Sequence, residues 1–572
     1  MNRLFRASSL SSSLSSSKRI GALAALLALL ALPSIADAQL WEDVTESTIG
    51  ETGEWSNKVE VADLNGDGRV DILFANGGNY NEAGVPERNR VFLNQGNTFT
   101  EATVDIMGTT ADLARVVKAR DVNGDGNTDI LVGTTYQSQS RLYLGDGTGN
   151  YQEVTDTNLP QKLASIGDLE VGDVDGDGDL DIVLADWGPG DPFVSTGGRI
   201  LVWQNDGTGN FSDVTEESMP GTMVQWSWDM ELLDTDNDYD LDVVVSCKVC
   251  TGSHLFTNDG TGVFEDNRSR MPQFTNNYEF EPIDINGDGF LDLVTINDGD
   301  ELSGQFDRRE HIFLADGQGG FVDGTSEVWP NAANIGADDN AVVVLDVDSD
   351  GDPDFLIGAL GGAADRLLIN NGGRLELDEN VFGGSSTQGT LGLALADFNG
   401  DGRLDVVQSQ GELAEDERVY FGTGIAVDSA APIVQMVSAK GSADGMLIRA
   451  RVHDNKTPVM DFDFKEVVAE LEFESGTERL PLTWVGGSLW RLDGDPQGVL
   501  GVRVCATDAV GNSECSASVD LVDDGTCDRC DGGGGEKPGA TSDGGCSTSG
   551  GSAGWLAMAF FALVAWRRRR TS

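Results

Sequence analysis

Seven times along this 572-residue chain, a nine-residue stretch carries Asp at its first, fifth and ninth positions and Asp or Asn at its third. The alternate positions are Asp63, Asn65, Asp67, Arg69 and Asp71 in the first copy, and Asp121, Asn123, Asp125, Asn127 and Asp129 in the second. The third and fourth read Asp173, Asp175, Asp177, Asp179, Asp181 and Asp234, Asp236, Asp238, Asp240, Asp242. The last three are Asp284, Asn286, Asp288, Phe290, Asp292; Asp346, Asp348, Asp350, Asp352, Asp354; and Asp397, Asn399, Asp401, Arg403, Asp405. Alternate residues of a tight loop can aim side-chain oxygens at one point, and a hard cation such as calcium takes about six to eight oxygens in a flexible shell. No single side-chain chemistry fits the residues at position 7, so that position is expected to offer its backbone carbonyl. The last Asp would close the shell, giving up to seven calcium ions per chain.

These loops need elements that hold them. A helix-flanked calcium loop of the EF-hand kind needs Glu at position 12, but the first copy has Phe74 there, and Val59-Glu60-Val61 and Asp71-Ile72-Leu73-Phe74 read as strands on either side. Further segments recur downstream. Arg90-Val91-Phe92-Leu93, Arg141-Leu142-Tyr143-Leu144, His311-Ile312-Phe313-Leu314 and Arg418-Val419-Tyr420-Phe421 each precede a glycine-containing turn. An aromatic-x-acid segment follows the turn, as in Phe99-Thr100-Glu101, Tyr151-Gln152-Glu153 and Phe211-Ser212-Asp213. Each unit thus supplies about four short strands, one blade of a propeller. The seventh unit lacks its aromatic-x-acid strand, and Trp41-Glu42-Asp43-Val44-Thr45 is a spare one at the other end. This N-terminal strand is expected to complete the last blade and close the ring.

On these loops the chain resembles the FG-GAP/VCBS repeat family, whose calcium loops match those of integrin α-subunit propellers. The resemblance covers roughly residues 39–427. It implies a seven-bladed β-propeller with one calcium loop between the first two strands of each blade. The family spans adhesion proteins, lectin-like binders and non-catalytic modules of enzymes, so it names no ligand. The fourth loop departs from the pattern, with Asn237 and Tyr239 where glycine is usual. It is expected to bind most weakly.

Composition narrows the rest. With 96 Asp+Glu against 37 Lys+Arg the formal charge is -59, which opposes nucleic acid and anionic lipid as partners of the folded part. Residues 1–38 read as a secretory signal: Arg3, Arg6, Lys18 and Arg19, an apolar run from Ile20 to Leu32, then Ala36-Asp37-Ala38. Export would place the cysteines at 247, 250, 505, 515, 527, 530 and 546 in an oxidising compartment. Local disulfides are expected, with zinc held by the two Cys-x-x-Cys pairs as the alternative. Residues 430–523 read as a small immunoglobulin-like β-sandwich, with strands at Gly445–Val452, Val468–Glu474, Leu480–Leu492 and Val499–Ala506. Cys505 and Cys515 could bridge two of them. Residues 524–552 are a linker rich in Gly, Ser and Asp. Residues 553–572 form an apolar tail with four arginines near its end, which keeps membrane contact to the tail alone, as an ordinary single-span anchor or as a sorting signal. With Gly545-Cys546-Ser547 ahead of it, the tail resembles MYXO-CTERM sorting signals of myxobacterial surface proteins, which implies processing near Cys546 and transfer to the cell surface.

No nucleophile-elbow or zinc-protease motif appears, and His254 and His311 occupy the slot held elsewhere by Arg. The chain is therefore expected to be a non-catalytic, surface-displayed module that recognises an extracellular protein or glycan. A carbohydrate-active lyase or hydrolase, or a passive envelope component, are the alternatives.

Overall fold

The computed structural model describes residues 39–523 except 80–81, 251, 300–307, 384–385, 412–414, 443–444 and 496. The signal segment, the linker and the tail with Cys527, Cys530 and Cys546 lie outside the described residues.

The chain is all-β. Among the described residues, seven four-stranded antiparallel sheets follow one another up to Gly422. In the first, Ser56–Ala62, Asp71–Asn76, Arg90–Asn94 and Phe99–Glu101 pair in sequence order. The second strand of this sheet is buried at every position, because both its faces pack against neighbouring sheets. That is why Asp71-Ile72-Leu73-Phe74 reads as a continuous apolar run after its first residue. The outermost strand buries only its aromatic residue, which yields the aromatic-x-acid pattern. In the sixth unit Leu375–Asp378 takes that outer place without an aromatic. The first strands of successive sheets lie side by side, and that of the seventh sheet returns to that of the first. The ring is a β-propeller.

The spare N-terminal strand closes it. Trp41–Asp43 pairs antiparallel with Arg418–Gly422, in the register Trp41 to Gly422. Trp41 is fully buried, and its indole N–H donates to Leu404 O at 2.9 Å. After most outer strands the chain makes a short helix that the sequence reading did not anticipate, such as Thr103–Met107 and Thr215–Ser218. The opening threonine of each is a fixed contact: Thr45, Thr103, Thr155, Thr215 and Thr325 accept a third-strand N–H on their hydroxyls at 3.0–3.1 Å.

Beyond the ring, a five-stranded and a four-stranded sheet span Ile433 to Asp523. They enclose a core that includes Ile448, Val452, Leu471, Trp490 and Val504. The expected strand from Leu480 to Leu492 is three pieces: it holds the end of Gly476–Pro481, all of Thr483–Gly486 and the start of Leu489–Gly494. A turn at Gly486-Gly487, where both φ angles are positive, separates the last two. Cys505 is joined to Cys515, and Cys247 to Cys250.

This two-sheet domain rests on the end of the ring that carries the nine-residue loops. Asp173 N donates to Val485 O at 2.8 Å, Asp346 N to Asn455 O at 2.9 Å, and Thr457 N to Val344 O at 3.0 Å. Arg491 donates to Asp173 Oδ2 at 3.0 Å and to Gly176 O at 2.6 Å.

Candidate metal centres

Each loop joins the first strand of its sheet to the second, and the sequence builds all seven alike. The carboxylate at position 1 accepts the N–H of position 6 in every copy, from Gly68 at 2.7 Å to Tyr239 at 3.0 Å. Position 5 accepts the N–H of position 7 in every copy, as Asp67 does from Arg69 at 3.0 Å. Positions 4 and 6 have φ between 59° and 101° throughout, a region glycine enters without strain. The backbone thus turns inward around Asp63, Asn65 and Asp67 and their equivalents.

Position 7 contributes no common side chain. Arg69 donates to Asn94 O at 2.8 Å and pairs with Asp67, and Arg403 donates to Ile425 O at 3.1 Å.

Position 9 has a second role that sequence reasoning missed. Asp71, Asp129, Asp181, Asp242, Asp292, Asp354 and Asp405 are all buried. In each, one oxygen accepts the N–H of position 2 and the other an N–H at the end of the third strand. For Asp71 these are Leu64 at 2.9 Å and Asn94 at 2.6 Å, and for Asp405 they are Phe398 at 2.9 Å and Gly422 at 2.7 Å. The last Asp therefore staples the loop to the sheet. Both partners are backbone groups, so residue spacing alone gave no sign of them. Burial pushes Asp71, Asp129, Asp242, Asp292 and Asp354 up to about 7, and Asp181 and Asp405 to about 8, against the backbone hydrogen bonds that favour the ion. The other acids of the same loops add to the rise.

In the three loops with Asp at position 3, three carboxylates come within 4.8 Å of one another. They are Asp173, Asp175 and Asp181; Asp234, Asp236 and Asp238; and Asp346, Asp348 and Asp354. The other four loops place Asn65, Asn123, Asn286 or Asn399 at that position, an amide oxygen in place of a carboxylate. An all-oxygen donor set on a preformed loop fits a hard divalent cation and suits softer transition metals poorly. A fourth group, Asp428, Asp454 and Asp508, also converges within 4.8 Å. Its members come from distant segments of the sequence, so no motif announces it.

The fourth loop keeps its shape. Asn237 and Tyr239 adopt φ of 65° and 73°, the values that glycine has elsewhere. Their side chains meet the two-sheet domain instead. Asn237 Oδ1 accepts from Arg451 at 2.7 Å, Tyr239 donates its hydroxyl to Met436 O, and the Arg449 guanidinium lies 4.5 Å from the Tyr239 ring. Arg451 is fully buried and also donates to Gly289 O of the fifth loop at 3.1 Å. The departure from glycine is thus a docking contact. Replacing both residues with glycine (Asn237→Gly with Tyr239→Gly) should keep the loop fold and weaken the docking by about 1–3 kcal/mol. Chemical denaturation should then show the two-sheet domain unfolding before the ring, and one unchanged cooperative transition would refute the assignment.

Four stretches of the chain match the FG-GAP-like repeat, at residues 63–132, 121–184, 284–357 and 346–407. Each match begins at the first Asp of a loop, and the unmatched stretch between them holds the loop with Asn237 and Tyr239. No curated protein matches the chain. Among solved structures, the chain is similar to an Agrocybe aegerita lectin described as recognising non-reducing terminal N-acetylglucosamine, with 17% identity, 57% of this chain and 80% of that one covered, and a TM-score of 0.37. It is similar to the V. cholerae biofilm matrix protein Bap1 at 16% identity, covering 83% and 74%, with a TM-score of 0.31. A GH43_1 enzyme from Xanthomonas citri gives 12% identity, 50% and 94% coverage, and a TM-score of 0.28. Likeness at this level carries no inference about ligand or activity.

Proposed function

We propose that the chain is an exported, surface-displayed calcium-binding module that recognises an extracellular protein or glycan at the end of the ring opposite its loops. The observation that carries this reading is the division of labour between the two ends. The loop end is engaged by the two-sheet domain, through Arg451, Arg491 and Asn455. The antiparallel order of the strands sends the longer connections to the other end. There, Val85, Leu163, Phe193, Val194 and Met223 are exposed, Phe193 at 52% and Val194 at 78%. The Phe193 ring lies 4.3 Å from that of buried Trp226, so an exposed aromatic stands on a rigid aromatic base. Exposed apolar side chains gathered at one end mark interaction surfaces, and aromatic anchors are the usual carriers of affinity for proteins.

In this reading the loops set the shape of the ring and do not touch the ligand. The signal segment and the tail supply export and display, as their sequences suggest. No enzyme family is identified for the chain, and the reading requires none.

The test is a glycan array and an envelope-extract overlay with the full chain, each with calcium and with chelator. Retention without product release, weakened roughly tenfold by Phe193→Ala with Val194→Ser (about 1.4 kcal/mol), is the expected result. Release of any polysaccharide fragment, or binding unaffected by that double variant, would overturn it. So would an array and an extract that both stay blank.

A further inference from the structure

The ring encloses a cavity of about 130 Å³ on its axis, under segments of the two-sheet domain that include Lys456, Thr457 and Trp484. Its charged lining comes from the first strands, at fixed offsets from the loops. Three residues before the first Asp stand Glu60, Lys118, Glu170, Glu231 and Glu281, and two residues earlier stand Lys58, Asp168, Asp229 and Glu279. Arg120 is the one further cation of these strands that lines the cavity. Six carboxylates thus line the cavity with three cations of the ring and Lys456 of the two-sheet domain, and Asp168 stands just behind the wall.

The cations are all engaged. Lys58 binds Asp229 at 2.7 Å and Asp168 at 3.0 Å, Lys118 binds Glu170 at 2.6 Å, and Arg120 binds Glu60. Lys456, which reaches the wall from the two-sheet domain, is held by Asp463 at 2.7 Å. Three carboxylates remain without a cation. Glu281 accepts only the Thr457 hydroxyl, at 2.8 Å. Glu231 makes no hydrogen bond or ion pair among the described residues. Glu279 is 8% exposed; one of its oxygens accepts Val342 N at 3.0 Å, and the other has no donor. Glu279 and Glu281 are buried and Glu231 is half-buried, and a buried carboxylate left in that state is costly unless a counter-charge or a proton arrives. Burial and the neighbouring acids push Glu281 up to about 8 and Glu231 and Glu279 well above the usual carboxylate range.

The geometry also selects among cations. Among the described residues, every triple of carboxylates within 4.8 Å lies elsewhere, so the axis has no direct cage of the kind calcium seeks. The cavity has room for several waters, each occupying about 30 Å³ in the liquid. Magnesium gives up its water shell reluctantly and keeps several waters when bound. We propose that the axial cavity holds one hydrated Mg²⁺, gripped through its water shell by Glu231, Glu279 and Glu281.

The experiment uses the full chain in excess calcium, dialysed against MgCl₂, with both metals counted by mass spectrometry. Wild type should retain about one magnesium per chain. Glu231→Gln with Glu279→Gln should weaken magnesium binding at least tenfold and leave the calcium count unchanged. Because it removes buried repulsion, the same variant should melt higher than wild type in magnesium-free buffer, which also shows that it folds. Glu281→Gln gives an independent second reading. Wild type without magnesium, a variant that keeps it, or a variant that loses one calcium instead would each overturn the proposal.

Discussion

Stripping calcium from the purified chain should lower its melting temperature by about 10 °C or more, and the gap between calcium-loaded and calcium-free protein should widen from pH 5 to pH 8. The first part follows from mass action. A ligand that binds only the folded state adds roughly 3 kcal/mol per site at a hundredfold excess over its dissociation constant. The loops offer several such sites. The second part follows from the position-9 carboxylates. Their ordinary value is 3.8, and the folded chain without metal holds them at about 7 to 8. The folded state then binds more protons than the unfolded state between those limits, so stability falls as pH rises through the window. The contribution is whole below about pH 4 and is lost above about pH 8. A bound cation favours the ionised carboxylates and flattens that slope. Calorimetry at pH 5, 6.5 and 8, after dialysis with or without calcium, reads both effects. An unchanged midpoint would rule out the loops as metal sites, and a gap independent of pH would rule out position 9 as the titrating group.

A second large effect is expected at a single residue. Asp405→Ala should cost about 2–5 kcal/mol, whether or not calcium is present, because it leaves the N–H groups of Phe398 and Gly422 without acceptors in a fully buried place. Asp401→Ala, four residues earlier in the same loop, removes an exposed carboxylate. Its contacts with Arg403 are exposed, so this change should cost about 1 kcal/mol or less without calcium and clearly more when calcium is present. The comparison separates a carboxylate that staples the sheet from one whose protein contacts go to Arg403 of its own loop. Urea denaturation of both variants in calcium-free and calcium-loaded buffer reads the difference. If Asp405→Ala is harmless without calcium, the stapling role is refuted.

Much of the ring could be read directly from the residues. The loop spacing, the four-strand unit and the closing strand at Trp41 all follow from patterns that repeat, and repetition averages out local accidents. What escaped was of another kind. The spacing of Asp71 and its equivalents marks them as candidate metal ligands, but their further partners are backbone amides that no side-chain pattern marks. The oddity of Asn237 and Tyr239 was visible, but its meaning lies in Arg449 and Arg451, more than two hundred residues away. Asp428, Asp454 and Asp508 meet only because the two-sheet domain lies on the ring. The axial acids are the instructive case. Glu60, Glu170, Glu231 and Glu281 stand at one constant offset from the loops, so the signal was present. Seen one strand at a time, each reads as an ordinary polar position, and only the closed ring brings them face to face.

The pairing of Trp41–Asp43 with Arg418–Gly422 also sets an order of events in time. Neighbouring sheets can form from local segments as the chain emerges, but the last sheet needs one strand from each end of the ring. Contacts so distant in sequence form late and slow folding. Until they form, Arg418–Gly422 presents an open edge to any other strand nearby. A chain that stops short of residue 422 can build an arc of sheets and never a ring. The molecule's exposure to mispairing is therefore fixed by how long its first strand must wait for its last.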